Sequence, residues 1–451
     1  MKKICAGFKR VLNRRTFLAL IATTGMLALV GCTTKNVLPG DFPDSPTLSD
    51  TNPYKEIYDA GLLKYVGKSF ERPSTVTTLK VTPPIDTWNF AKSETDRGPL
   101  CMGGADFFIE TRDGTSNDLL IFLEMGGVCT KEICAATANP LLNLRVFTMG
   151  NLIGIGGILN HNDSRNPFAN YNVVHIPYCD GALFMGDVDR VLSYSGTSAV
   201  VMPPTMAYQR GLQNLTAGFE VAKMKYPNPS RIVLAGSSGG SYGIMGGGAL
   251  ARYYYPNTPL LTIADSGSPM GRDNDKDFTR RAMTELNCIQ YVPLKSCPDC
   301  IANGHVTKVV EWALQRDPTL HVASMSHADD AVIGDFFMAS PFPIFRNALL
   351  RETASINQFG SRVHHFITPG TQHTYLLDVW VPSMLQEVLM GAFGWVVFSG
   401  VNANSITEFG WSLGTLGGKY TDVSGKKVSG YQWLTNLLTN PSTVQDVLVV
   451  E

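Results

Sequence analysis

Charge is scarce in this chain. Only 17% of its 451 residues are Asp, Glu, Lys or Arg, against roughly 25% in an ordinary globular protein. The two signs nearly cancel, 37 basic against 38 acidic, for a formal net charge of −1. Without a basic excess there is no electrostatic footprint for nucleic acid, and no nucleic-acid partner is expected. The N-terminal apolar run, residues 17–30, has 14 residues, short of the about 20 that a bilayer-spanning helix needs. No internal repeat and no Pro/Gly linker divides the chain beyond its N-terminal region, so one elaborated domain is expected. No second CxxC and no His pair stands near Cys297-Pro-Asp-Cys300, so that motif is not read as a zinc site. What is plentiful excludes disorder of the whole chain: 44% hydrophobic and 10% aromatic residues supply a large core.

The N-terminus reads as an address. Lys2, Lys3, Lys9, Arg10, Arg14 and Arg15 form a basic region before the apolar run, the pattern of a signal peptide. Asn13-Arg14-Arg15-Thr16-Phe17-Leu18 resembles a twin-arginine export signal. Leu29-Val30-Gly31-Cys32 resembles the bacterial lipobox, in which the Cys takes lipid and becomes the mature N-terminus. The expected division is a signal over residues 1–31, a flexible tether over 32–55, rich in Pro, Asp, Ser and Thr, and one α/β domain over 56–451. A lipid on Cys32 makes the membrane a partner without a spanning helix. Thr33, where an Asp would hold the protein at the inner membrane, favours the outer membrane of the cell envelope.

Nine cysteines are present. Cys5 leaves with the signal and Cys32 is committed to lipid. The remaining seven are Cys101, Cys129, Cys134, Cys179, Cys288, Cys297 and Cys300. An exported chain can oxidise them, but an odd number leaves at least one without an internal partner. The loop-like surroundings of Cys297 and Cys300 favour a structural disulfide over a redox pair.

Short apolar runs recur, each followed by Gly, Ser or Asp. They are Leu119–Leu123, Asn172–Ile176, 231–235, 260–264, 321–325 and 363–367. Continuous apolar runs suit strands buried on both faces of a parallel sheet. Helical patterns lie between them over 205–225 and 241–255. Strands alternating with helices mean an α/β fold. The stretch from 271 to 317 reads as an insertion or cap.

Gly236-Ser237-Ser238-Gly239-Gly240 satisfies G-x-S-x-G. It follows an apolar strand and opens a helix, the setting in which a sharp turn presents a nucleophilic serine. The helix N-terminus favours developing negative charge there. Gly239-Gly240-Ser241-Tyr242-Gly243 fits the same pattern, but Ser241 falls a turn inside the helix, so Ser238 is preferred. The partners of such a serine follow in the order acid, then histidine. His373 lies in a polar loop after the last apolar run, where a base can reach the turn. His364 and His365 sit inside that run and suit a packing role. His321 and His327 precede the best acid and break the order.

Asp329 and Asp330 follow an apolar run, where a carboxylate can orient an imidazole. Asp329 is chosen, with Asp330 next and Asp265 third; a turn-capping role suits Asp265 better. The backbone N–H of Gly239, with Gly126 and Gly127 at an earlier strand end, can form an oxyanion hole. Asp273-Asn274-Asp275-Lys276-Asp277 begins like a calcium loop. Phe278 stands where the turn needs Gly and Thr284 where the bidentate Glu belongs, so no metal site is assigned.

Several segments together resemble the pectin acetylesterase family. Cys101-Met102-Gly103-Gly104-Ala105 is similar to its early Cys-x-Asp-Gly-Ser segment, with Gly103 in place of the Asp. Leu123-Glu124-Met125-Gly126-Gly127-Val128-Cys129 resembles its L-E-G-G-G-x-C loop. Gly157-Ile158-Leu159-Asn160, Asn166-Pro167-Phe168 and the block from Tyr178-Cys179-Asp180-Gly181 to Asp187 resemble a third region. Gly236-Ser237-Ser238-Gly239-Gly240 resembles its G-C-S-A-G-G turn. The resemblance runs from about residue 101 to about 433.

It implies an α/β-hydrolase fold and an esterase using Ser238, Asp329 and His373, most often on acetyl groups of a polysaccharide, without metal or cofactor. It also implies the disulfides Cys129–Cys134 and Cys101–Cys179, with Cys288 paired to Cys297 or Cys300. Met125, Val128 and Ser237 depart from the family pattern beside the pocket, which weakens the inference about substrate. Two alternatives stay open: a carboxylesterase for long-chain or lipid-type esters, and a lipoprotein using an inert hydrolase fold for binding.

Overall fold

Alternate residues of the apolar runs enter two separate cores. Leu119, Ile121 and Leu123 pack into one, Leu120 and Phe122 into the other. Ile232 and Leu234 part from Val233 and Ala235 in the same way. A strand covered on both faces has no polar side to show, which is why these segments read as unbroken apolar runs. The computed structural model describes residues 32–37, 52–71, 74–91, 97–134, 157–192, 204–267, 270–340, 342–378 and 415–448.

Among the described residues, eleven strands form one sheet. They are β1 (Cys32–Val37), β2 (Ser74–Leu79), β3 (Ile85–Asn89), β4 (Phe108–Arg112), β5 (Leu119–Leu123) and β6 (Asn172–Ile176). Then come β7 (Ile232–Ser237), β8 (Leu260–Asp265), β9 (Leu320–His327), β10 (Val363–Thr368) and β11 (Val447–Leu448). Their order is β1-β2-β3-β4-β6-β5-β7-β8-β9-β10-β11. The four pairings from β1 to β6 are antiparallel; from β6 to β11 every pairing is parallel.

Helices cover both faces. On the first core lie α1 (Gly211–Lys225) and α2 (Gly239–Tyr254), through Leu215, Phe219 and Leu250. The helices α3 (Phe278–Glu285) and α4 (Thr307–Arg316) belong to the segment joining β8 to β9, and α5 (Phe342–Ile356) follows β9. The second core is closed by α6 (Gly430–Thr439) with Trp433, Leu434 and Leu437. A mixed, mostly parallel sheet between helices is the α/β-hydrolase architecture expected from the sequence. The parallel strands end together, so the loops after β5, β7, β8, β9 and β10 share one rim, the usual place for a site in such sheets.

Three expectations need correction. The helix read over 205–225 begins only at Gly211. Thr205–Gln209 is a strand paired antiparallel with Val188–Leu192. The tether read over 32–55 does not describe Cys32–Val37, which pairs along its whole length with β2. Thr33, Thr34 and Val37 are β-branched and suit an edge strand, and backbone pairing outweighs the polar composition. Residues 1–31 and 38–51 lie outside the described residues.

Cys288 makes no disulfide; Cys297 pairs with Cys300 instead. Their Cα atoms are 5.2 Å apart, the ordinary reach of the bond. Cys288 stays a buried thiol whose pKa burial pushes up to about 12, which leaves it an inert packing group. The other two pairs form as the resemblance implied, Cys101 with Cys179 and Cys129 with Cys134.

Candidate active site

Ser238 sits between β7 and α2 with φ 51° and ψ −119°. A non-glycine residue in that conformation is strained, and such strain marks the sharp turn that exposes a nucleophile. Ser238 leads directly into α2, whose free N–H groups face the same rim. The hydroxyl of Ser241, the alternative serine, is already committed. It donates to the Ser238 carbonyl at 2.6 Å, a back-bond that ties it to its own helix turn.

The loop after β5 closes on this turn. A Cβ added to Gly239 would lie 2.9 Å from the Gly127 carbonyl oxygen, and 3.1 and 3.5 Å from the Gly127 and Gly126 nitrogens. The three amides expected to form an oxyanion hole are thus brought together beside Ser238. Tyr178 shapes this loop from below. Its ring occupies the space that a side chain on Gly126 would need, 1.6 Å from an added Cβ, and its hydroxyl donates to the Gly127 carbonyl. The Cys101–Cys179 bond fixes the residue next to Tyr178.

His373 lies in the loop after β10 and is buried. Its Nδ1 faces both carboxylate oxygens of Asp330, at 2.9 and 3.1 Å. The carboxylate also accepts from the Val332 and Ile333 N–H groups, each at 3.0 Å. Asp330, fully buried, therefore holds the imidazole with a proton on Nδ1 and leaves Nε2 as the basic nitrogen. Asp329, the carboxylate chosen from the sequence, does not meet His373. It points the other way and pairs with Arg346, whose Nε donates at 3.0 Å. Adjacent residues in this turn face opposite sides. The turn is held by backbone bonds from Ala328, Asp329 and Ala331 to the carbonyls of Thr368, Gly370 and Thr371.

Asp265 joins the two halves of the site. Its carbonyl accepts the Ser238 N–H at 2.7 Å. Its carboxylate accepts from the Ser237 hydroxyl at 2.8 Å and from the Tyr375 and Leu376 N–H groups at 2.9 Å. Thr374 N–H, next to His373, donates to Ser266 at 2.8 Å. Serine turn and histidine loop thus share one anchor. Burial pushes the Asp265 carboxyl up to about 6, while the backbone and Ser237 donors and nearby His373 hold it down. The sequence signal was present, a lone Asp at a strand end, but its turn-capping reading missed that it caps two segments at once. His327 is a further ionisable neighbour. Its ring stacks on Tyr375 at 4.2 Å, and burial lowers its pKa to about 4, so it is neutral near pH 7.

Beside Ser238 opens a cavity of about 80 Å³, lined mainly by apolar side chains that include Leu183, Met270, Phe278 and Phe337. Several come from the segment between β8 and β9 that the sequence marked as an insertion. Two carboxylates of the calcium-like stretch are engaged elsewhere: Asp273 with His305 and Arg351, Asp275 with Arg281.

A strained serine at a strand–helix turn, backed by paired glycines, is the geometry of a nucleophile turn. Residues 85–290 match the pectinacetylesterase family. That span takes in Gly126, Gly127, Ser238, Gly239 and Asp265; Asp330 and His373 lie beyond it. Pectin acetylesterase 4 of Arabidopsis thaliana is 38% identical over 96 residues, 20% of this chain and 23% of that protein. Pectin acetylesterase 5 of the same plant is 33% identical over 121 residues, 25% of this chain and 28% of that protein. Pectin acetylesterase 11 is 28% identical over 106 residues, 23% of this chain and 27% of that protein. The chain thus aligns with about a quarter of the length of these pectinacetylesterases.

Proposed function

We propose that this chain is a serine carboxylesterase that removes acetyl groups from a polysaccharide. The observation that carries the reading is the positive-φ Ser238 turn packed against Gly126–Gly127 and tied through Asp265 to the loop of His373. The family match supports ester hydrolysis as the chemistry.

In this mechanism Ser238 Oγ attacks the ester carbonyl as His373 Nε2 takes its proton. Asp330 holds the ring and stabilises its positive charge. The amides of Gly126, Gly127 and Gly239 receive the oxyanion. The tetrahedral species collapses, and the alcohol departs with the proton from His373. Water then attacks the acyl-serine, its proton passing to His373 and on to Ser238 as the acid leaves. One ester and one water give one acid and one alcohol.

The test is hydrolysis of p-nitrophenyl acetate and of acetylated pectin by the full chain and by Ser238→Ala. Turnover reduced at least 10³-fold in the variant is expected. Turnover unchanged in Ser238→Ala overturns the assignment. The second reading, an esterase for longer acyl chains, has one observation in its favour, the apolar lining of the cavity at Ser238, although the volume of that cavity suits a short chain. A preference for p-nitrophenyl octanoate over acetate would select it.

The location follows from the N-terminus. A diacylglyceryl group on Cys32 would hold the enzyme in the cell envelope. Mass spectrometry of the mature N-terminus checks this: a lipidated Cys32 is expected, and an unmodified chain beginning elsewhere removes the anchor.

A further inference from the structure

A second apolar cavity lies behind the one that opens on Ser238. It measures about 90 Å³ and passes Met185, Ile244, Val310, Trp312 and Ala313. Tyr242, Met245, Met283 and Val306 line both cavities, so they stand between the two. Tyr242 and Met245 project from α2, the helix that Ser238 opens; Met283 comes from α3. The Tyr242 hydroxyl is buried in this partition, with no hydrogen-bond partner among the described residues.

Size decides what the front chamber can take. An apolar cavity of about 150 Å³ holds a benzene ring. The front chamber, at about 80 Å³, offers roughly half of that, room for a short acyl group and not for a long one. The rear chamber roughly doubles the space. Methionine is the side chain best suited to such a boundary, because it is unbranched and repacks easily.

We propose that Met245 and Met283 determine acyl-chain length by closing the front chamber against the rear one. The inference rests on Ser238 as the acyl-accepting nucleophile. With the partition in place, an acyl chain on Ser238 ends at the two methionines. With either one truncated, the chain continues into the rear chamber and buries further methylenes, each worth about fourfold in binding.

The experiment measures kcat/KM of the full chain on p-nitrophenyl acetate, butyrate and octanoate. Active sites are counted by fluorophosphonate labelling, so that unfolded protein drops out. In Met245→Ala and in Met283→Ala, the octanoate-to-acetate ratio is expected to rise at least tenfold. Adding Ala313→Phe to Met245→Ala fills the rear chamber and is expected to reverse the gain. An unchanged ratio in both methionine variants, with Ser238-dependent acetate turnover intact, overturns the partition alone. A gain that survives Ala313→Phe also overturns it. A wild-type chain that neither labels nor turns over any ester removes the nucleophile reading and this inference with it.

Discussion

Two adjacent carboxylates take different partners in this site. Asp330 is sealed against His373, whereas Asp329, itself buried, meets the more exposed Arg346. Replacing Asp330 by Asn removes the acceptor that fixes the imidazole tautomer, and kcat should fall about 10³- to 10⁴-fold. Asp329→Asn breaks a partly exposed ion pair of little energetic worth, so its kcat should stay within about tenfold of wild type. Steady-state kinetics on p-nitrophenyl acetate check both, and the reverse ranking would make Asp329 the acid after all. The sequence put Asp329 first, Asp330 next and Asp265 third, and could not show which of the adjacent pair turns inward. Which of two neighbours turns inward depends on the backbone bonds that clamp residues 328–331 to the loop after β10, and those join segments about forty residues apart in sequence. The sharp turn at Ser238 was legible for the opposite reason, because everything that defines it is local.

At the level of elements, legibility followed burial. The parallel strands announce themselves because both faces are apolar. β4 does not, although all five of its residues are buried, because its polar side chains find partners inside. Arg112 donates to the Leu159 carbonyl at 2.6 Å, and Glu110 lies 3.1 Å from His175. β2 and the strand Thr205–Gln209 are short and only partly covered, too weak a pattern to stand out, and the second merged with the helical periodicity that follows it. Covalent linkage matters at this scale too. The Cys101–Cys179 bond spans 78 residues, for which the chain-entropy account gives about 4 kcal/mol. In the Cys101→Ala/Cys179→Ala variant, calorimetry should find Tm lower by about 5 °C. Esterase activity should fall further than the folded fraction does, because Cys179 steadies Tyr178 beneath Gly126. A variant with unchanged Tm and activity would show that the bond braces nothing.

For the molecule as a whole, buried acids set the pH dependence of stability. Glu220 lies within α1 and accepts from the Gly67 and Ser69 N–H groups at 2.5 and 3.2 Å. Burial pushes its carboxyl from 4.5 up to about 7. The folded state therefore holds this proton more tightly than the unfolded chain does. The resulting stability is fully present below about pH 4.5 and is lost as pH rises through about 7, where folding must bury a charge. Glu220→Gln keeps the neutral form at every pH. Calorimetry at pH 4.5 and 7.5 should find that the drop in Tm between them is a few degrees smaller in the variant; equal drops would show that Glu220 does not govern this window.

The groups proposed to react stand on turns and loops that leave the ends of central strands, while much of the front chamber wall hangs from one excursion between β8 and β9. Chemistry and taste are thus written in different parts of the chain. On the proposed mechanism, an exchange of residues 270–316 would rebuild that wall while Ser238, Asp330 and His373 keep their own supports.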